Sequence, residues 1–267
     1  MNPLFDAIAR QFDSESTVAP LPTIAEIDEL MQHIGLLIFG AHWPAPQRPP
    51  MKARQNVEHI HMLVSRHAST AMADDFIQQL PTIGQLLHTD VKAVLKNDPA
   101  ATSLQEVIGC YPATTAMLHY RTAHVLHQLG LPQLPRIITE RAHSLTGIDI
   151  HPAAQIGAAF GIDHGTGVVI GETTIIGTNV MIYQGVTLGA RHFQRDTDGT
   201  LLNSVRHPII EDRVTIYSNT SILGRIRIGH DTVIGGNLWI TKNIPPHSRV
   251  QQSKTVSHLG FIDGEGI

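Results

Sequence analysis

Apolar residues in the first half of the chain recur at helical spacing, and in the second half they recur every six residues. Ile24, Ile27, Met31, Ile34 and Ile38 fall on one face of a helix. Its start is marked by Thr23-x-x-Glu26, a spacing in which the hydroxyl and the carboxylate each accept the other residue's backbone N–H. Ser103-x-x-Glu106 repeats the signal, and ATTAMLHYRTAHVLHQLG after Pro112 reads as a helix closed by Gly130. Pro44, Pro46, Pro49 and Pro50 predict a break between early helices. Residues 1–146 are therefore expected to form an α-helical domain.

From about residue 148 the period is six. Aliphatic residues stand at Ile150, Ile156, Ile162 and Val168, then after a two-residue slip at Ile170, Ile176, Ile182 and Leu188, and again at Ile210, Ile216, Ile222, Ile228, Ile234 and Ile240. Glycine often follows at once, as at Gly157, Gly171, Gly177, Gly189, Gly229 and Gly235. A period of six fits no helix and marks a hexapeptide-repeat parallel β-helix, in which each hexad gives one short strand and one corner and the aliphatic residue points into a prism. Such repeats wind left-handed, against the crossover rule of ordinary sheets; the handedness comes from the class of repeat and not from the spacing. The expected fold is α+β, an N-terminal α-helical domain followed by a left-handed parallel β-helix over residues 147–245 and a tail at 246–267. The step from Leu188 to Ile210 is no multiple of six, so residues 190–205 are expected to leave the helix as a protruding loop, a common place for function.

Composition narrows the functional classes. With 19 basic and 23 acidic residues and no Lys/Arg-rich run, nucleic acid is not an expected partner. The first 16 residues carry three acidic groups and no long apolar stretch, and no later run reaches membrane-spanning length, which predicts a soluble, cytoplasmic protein. The single cysteine, Cys110, fits a reducing compartment and is expected as a small buried hydrophobe.

The β-helix half carries one dense polar cluster: Asp149-Ile-His151-Pro152, Asp163-His164-Gly165-Thr166-Gly167 and Arg206-His207-Pro208. On coils of about 18 residues, Asp149 and His164 would sit near one corner on adjacent turns. A carboxylate beside an imidazole fixes its tautomer and raises its basicity, as a general base acting on an alcohol requires. Equally, His164, His192 and His207 could be offered to zinc at a trimer interface, as in a carbonic-anhydrase-like hydratase; Arg206 beside His207 opposes a cation and favours a carboxylate-bearing substrate.

From Tyr111 to about Val250 the chain resembles the serine acetyltransferases, through YPATTAMLHYRTAHVL, PRIITERAHSLTGIDIHP, IDHGTGVVIGETTIIG, YQGVTLGA, RHPIIED and VIGGNLWIT. The resemblance implies acetyl transfer from acetyl-CoA to L-serine, the first step of cysteine biosynthesis, without a metal. It implies His164 as general base with Asp149 as its partner, Asp98 and Asp163 on the substrate ammonium, and Arg206 and His207 on its carboxylate. Pantetheine contacts would fall near Gly189, Ala190, Ser218, Gly236 and Lys242, in a homotrimer or a dimer of trimers. The ending Gly260-Phe-Ile-Asp-Gly-Glu-Gly-Ile267 is similar to the tail by which the family docks into O-acetylserine sulfhydrylase, through Ile267. One departure concerns the coenzyme contacts near the C-terminus: Pro245-Pro246-His247-Ser248 continues as RVQQSK, where many hexapeptide acyltransferases carry Gly-x-Pro-Ala. No cysteine or nucleophile elbow lies near these motifs, so direct transfer in a ternary complex is expected. Another small amino-acid or sugar acceptor, and a binding protein that kept the fold without catalysis, are the competing possibilities.

Overall fold

The structure, a computed structural model, describes residues 4–6, 8, 21–44 and 52–252. Among the described residues from Leu21 onward, six helices precede the first strand: α1 (Ile24–Phe39), α2 (Ala53–Ser65), α3 (Thr70–Asn97), α4 (Leu104–Cys110), α5 (Pro112–Gln128) and α6 (Leu134–Thr146), with a 3₁₀ turn at Gly40–His42. At the start of α1 both halves of the Thr23/Glu26 capping box form. Its buried face is Ile27, Leu30, Met31 and Ile34, while Ile24 lies at the exposed N-terminal turn. At α4 only half of the expected box is present. Ser103 Oγ accepts from Glu106 N–H, but the Glu106 carboxylate turns to Thr102. Cys110, expected to be buried, is exposed at the end of α4.

Gly147 ends α6 in a left-handed turn (φ +70°), and the chain enters a three-sided parallel prism. Its first face holds β1 (Asp149–Ile150), β4 (Val169–Ile170), β7 (Thr187–Gly189), β10 (Ser221–Leu223) and β13 (Trp239–Ile240). The second holds β2 (Gln155–Ile156), β5 (Ile175–Ile176), β8 (Ile209–Ile210) and β11 (Arg227–Ile228). The third holds β3 (Gly161–Asp163), β6 (Met181–Tyr183), β9 (Thr215–Ile216), β12 (Val233–Ile234) and β14 (Arg249–Val250). Every hexad aliphatic named above points inward and is at most 8% exposed. Each such side chain stabilises the prism by roughly 1.5–3 kcal/mol. Strand β14 pairs with β12, so the β-helix continues beyond residue 245.

The strand register corrects the assumption of a uniform 18-residue coil. Asp149 pairs with Val169 and Gly161 with Met181, 20 residues on, whereas Val169 pairs with Thr187, 18 on. Thr187 then pairs with Ser221, 34 on, because the loop after Gly189 is added to a coil whose strands stay in line. The two extra residues of the first coil lie in the corner His164–Gly167 between the third and first faces, where His164, Gly165 and Gly167 all have positive φ.

Helices and prism share one core, running from Ile27 through Leu118 and Phe160 to Ile240. The polar junction inside it is specific. Arg121 on α5 makes a two-pronged pair with Asp90 on α3, both 3% exposed, and also donates to the carbonyls of Ile156 and Gly157. Asp90 Oδ1 accepts from Phe160 N–H at 3.0 Å, and the Tyr120 hydroxyl donates to Ala154 O at 2.6 Å. Burial pushes the Asp90 carboxyl up, and the Arg121 guanidinium opposes that shift. Asp90→Ala strands a buried guanidinium and is expected to cost about 3–5 kcal/mol of stability, whereas the apolar pair Asp90→Leu/Arg121→Met should recover only part of it, because Phe160 N–H and the Ile156 and Gly157 carbonyls lose their partners. Chemical denaturation of the three proteins decides this; equal stability of Asp90→Ala and wild type would contradict it.

Candidate active site

The enlarged corner carries the imidazole that the sequence singles out. His164 has φ +55°, a left-handed conformation uncommon for a residue with a Cβ, and its side chain is 72% exposed. The left-handed turn lifts the ring off the prism instead of folding it inward. Gly165 is the residue this geometry demands: its φ is +95°, and an added Cβ would come 2.5 Å from Ile148 Cδ1. Asp163, the last residue of β3, places Oδ1 3.9 Å from His164 Nδ1.

Asp98 reaches the same corner from the helical domain. It follows α3 directly, where Pro99 prevents continuation, and its Oδ1 accepts from Ala100 N–H at 2.8 Å. Its Oδ2 accepts from the Tyr111 hydroxyl at 2.6 Å. These bonds, led by that of Tyr111 and aided by the field of His164, hold the Asp98 carboxyl below its ordinary range. In return the Tyr111 phenol is pushed up to about 12. Tyr111 opens the block YPATTAMLHYRTAHVL, but its position just before the helix-starting Pro112 reads as a boundary and gives its hydroxyl no role. Tyr183, in register with Asp163 on the third face and stacked on Tyr217, feels the charges of both Asp163 and Asp98.

Arg206 and His207 stand at the other edge of the first face, at its corner with the second. Arg206 Nη2 binds Glu172 Oε2 at 2.6 Å, and Nη1 binds Asn203 Oδ1 and Ser204 O. Burial works against ionisation of Glu172, but Arg206 outweighs it and leaves that carboxyl lowered. His207 is 6% exposed and accepts Thr173 N–H at Nδ1, 3.1 Å away. The neutral tautomer therefore carries its proton on Nε2. The ring lies directly over Gly171, where any Cβ would meet it at 2.1 Å. His207 can thus offer one N–H, while Arg206 supplies the fixed charge at this edge.

Asp149 does not meet His164 within the chain. It lies on β1 of the first face beside Val169, and its carboxylate is 4.0 Å from Arg136 Nη1 on α6. The 20-residue first coil and the enlarged corner separate the two. The residues expected to touch coenzyme divide in the same way. Ser218 and Gly236 stack at the His164 corner, where a Cβ on Gly236 would meet Ser218 O at 2.9 Å. Gly189 ends β7 and Ala190 follows it, and Lys242 follows β13, at the Arg206 edge. Residues 190–205 form the protruding loop, with a small antiparallel bridge between Arg195 and Leu201 and exposed Phe193, Leu201, Leu202 and Val205. His192 lies in this loop, so His164, His192 and His207 do not gather into one ligand set in a single chain.

Among the described residues, burial lowers five imidazoles, those of His33, His119, His124, His151 and His207, three of them far. Burial pushes His119, His151 and His207 from 6.5 to about 4, with Arg136 adding to the effect at His151 and Arg206 at His207. The unfolded chain therefore binds more protons than the folded one between pH 4 and 6.5. Their contribution is fully present above about pH 6.5 and is lost as pH falls toward 4, by at most about 1.4 kcal/mol per pH unit for each histidine. Denaturation from pH 7.5 to 4.5 should show this decline, shallower in His119→Gln; a flat profile would refute it.

No family model matches the chain. The plasmid serine acetyltransferase of Synechococcus elongatus is 52% identical over 206 residues, which are 77% of this chain and 64% of that relative, so the match spans somewhat less than two thirds of its length. The Entamoeba histolytica serine acetyltransferase isoform 3, solved in complex with cysteine, superposes with TM-score 0.75 at 32% identity, covering 97% of this chain and 94% of that one. The Neisseria gonorrhoeae serine acetyltransferase, solved in complex with serine, superposes with TM-score 0.63 at 27% identity over 94% of this chain and 89% of that one. With these likenesses running through the helical half, the enlarged corner and the prism alike, the chain belongs to the serine acetyltransferase family.

Proposed function

We propose that this chain transfers the acetyl group of acetyl-CoA to the hydroxyl of L-serine, giving O-acetyl-L-serine and CoA for cysteine biosynthesis. The observation that carries the reading is the His164 corner: an exposed imidazole on a left-handed turn, beside the carboxylates of Asp163 and Asp98. His164 takes the proton as serine Oγ attacks the thioester carbonyl. The tetrahedral intermediate then collapses, the C–S bond breaks, and the imidazolium returns the proton to the CoA thiolate. Asp98 and Asp163 hold the ammonium, and Arg206 with the Nε2–H of His207 holds the carboxylate. A backbone N–H near Gly189 or Ala190 faces the developing oxyanion.

A single chain cannot bring these groups round one serine. The two corners are separated by a strand and a turn, on the order of 15–20 Å of extended chain, and an amino acid is far shorter. We therefore place the site between two copies in a trimer. One copy contributes Asp98, Asp163, His164, Ser218 and Gly236; the next contributes Asp149, Gly189, Ala190, Arg206, His207 and Lys242. Pantetheine would then run along the seam, and the Asp149 that orients His164 would come from the neighbouring copy. Carboxylates on one side and a guanidinium on the other favour a zwitterion over a sugar, and the serine bound to the Neisseria relative supports the same acceptor. The zinc-hydratase alternative is disfavoured by Arg206 and by Arg225, which donates to His207 O at 3.0 Å. No helix among the described residues is long and apolar enough to cross a membrane, which accords with a cytoplasmic enzyme.

Thiol release from acetyl-CoA in the presence of serine tests the reading. His164→Ala should lose roughly 10²- to 10⁴-fold in turnover. Arg206→Ala should raise the serine KM by the equivalent of ~1.5–3 kcal/mol with little change for acetyl-CoA. Co-expression of the two variants should regain activity, since mixed trimers contain sites with an intact His164 and an intact Arg206. At subsaturating serine, a mixture no more active than the sum of the two variants measured separately would overturn the shared site.

The tail, residues 253–267, lies outside the described residues. We propose that it docks into O-acetylserine sulfhydrylase, with the Ile267 carboxylate held by backbone donors and its side chain in an apolar pocket. Deleting Ile267 should abolish that binding in calorimetry and leave acetyl transfer intact. Equal affinity of both forms would sink the idea.

A further inference from the structure

We propose that Glu29, His33 and His59 form a site for a divalent transition metal of the zinc type, clipping α1 to α2 far from the acetyl-transfer chemistry. Glu29 and His33 are one turn apart on α1, and His59 faces them from α2. One candidate ligand atom from each lies within 4.8 Å of the other two. Glu29 Oε1 and His59 Nε2 are already 2.7 Å apart, and the His33 and His59 ring centroids are 4.3 Å apart. A zinc ion held at about 2.0–2.2 Å from each ligand needs only small side-chain rotations to draw this set together.

The surroundings prepare His33 for the role. The ring is 6% exposed, and its Nδ1 lies 2.5 Å from Asn56 Oδ1. Asn56 Nδ2 donates to the His33 carbonyl at 3.0 Å, which fixes the amide so that its oxygen faces the ring. His33 Nδ1 must then carry the proton, leaving Nε2 with a lone pair; this is the outer hydrogen bond that metal-binding histidines use to set their tautomer.

Two other triads of this kind exist among the described residues, and a fixed cation spoils each. Arg213 occupies both carboxylate oxygens of Asp231 in the His230–Asp231–His247 group. Arg136 sits 2.5 Å from Glu140 and 4.0 Å from Asp149 in the Glu140–His143–Asp149 group. Among the described residues, the α1–α2 set has no such guanidinium within ion-pair distance; Arg66 is committed to Glu26, one turn away.

The test uses the untagged full-length protein, stripped with chelator and titrated with Co²⁺ while the visible absorption is read. One saturable equivalent per chain with an intense four-coordinate spectrum, displaced by Zn²⁺, is expected. His59→Ala and Glu29→Gln should abolish that band with unchanged far-UV circular dichroism, and Asn56→Ala should weaken binding by about 10- to 100-fold. The double variant His230→Ala/His247→Ala should keep the band. Zn²⁺ should also raise the thermal midpoint of wild type but not of His59→Ala. Absence of a saturable equivalent, or a band that survives His59→Ala, would overturn the proposal.

Discussion

Asp90 and Arg121 meet in a place where water cannot reach them, and from that meeting point two elements set out toward the His164 corner. Asp90 Oδ1 receives Phe160 N–H, and one residue earlier on each side Thr89 Oγ1 receives Ala159 N–H. From Asp90 the helix α3 runs eight residues to Asp98, about 12 Å at its rise of 1.5 Å per residue. From Phe160 strand β3 runs three residues to Asp163 and one more to His164. Apolar packing alone is non-directional and would tolerate a shift of helix against prism. The fork of Arg121 onto Asp90 and onto the Ile156 and Gly157 carbonyls does not. The desolvation of both charges is thus exchanged for a fixed register between two carboxylates and one imidazole that come from different domains.

The hexads made the prism legible because period six has few physical solutions, and the aliphatics from Ile150 to Ile240 are buried as that period requires. The slip between Val168 and Ile170 held more information than its size suggests. Two residues added to a coil have to leave the wall somewhere, and they leave it at His164–Gly167. What the sequence could not convey is contact across the chain. Asp90 sits in HTDVKAV, where an acid reads as solvated, and its burial follows only from Arg121, 31 residues away. Asp149 and His164 look adjacent when every coil is given 18 residues, and the 20-residue first coil parts them. The Tyr111 hydroxyl, which binds Asp98, is invisible for the same reason: its partner is 13 residues back, beyond a helix of its own.

The two edges of the first face differ in electrical character. Around His164 the fixed groups are carboxylates, and the half-buried Tyr111–Asp98 bond favours the ionised form of one of them. Around His207 they are guanidiniums, Arg206 and Arg225, with Glu172 compensating one and the imidazole itself neutral. A face that is negative at one edge and positive at the other suits a three-fold rotation, in which each copy turns its acidic edge to a basic one. In the proposed trimer the same arrangement would orient a zwitterion lying in the seam.

The loop after Gly189 lengthens its coil without disturbing a single strand pairing: Thr187, Leu188 and Gly189 align with Ser221, Ile222 and Leu223 as though nothing had been inserted. Its two ends are already held at one corner of a single coil by the wall, so the closure entropy of a longer or shorter excursion changes slowly with length. The protruding segment is therefore uncoupled from the part of the molecule that determines whether it folds. This one stretch is free to grow, shrink or change its side chains while the prism beneath it goes on counting in sixes.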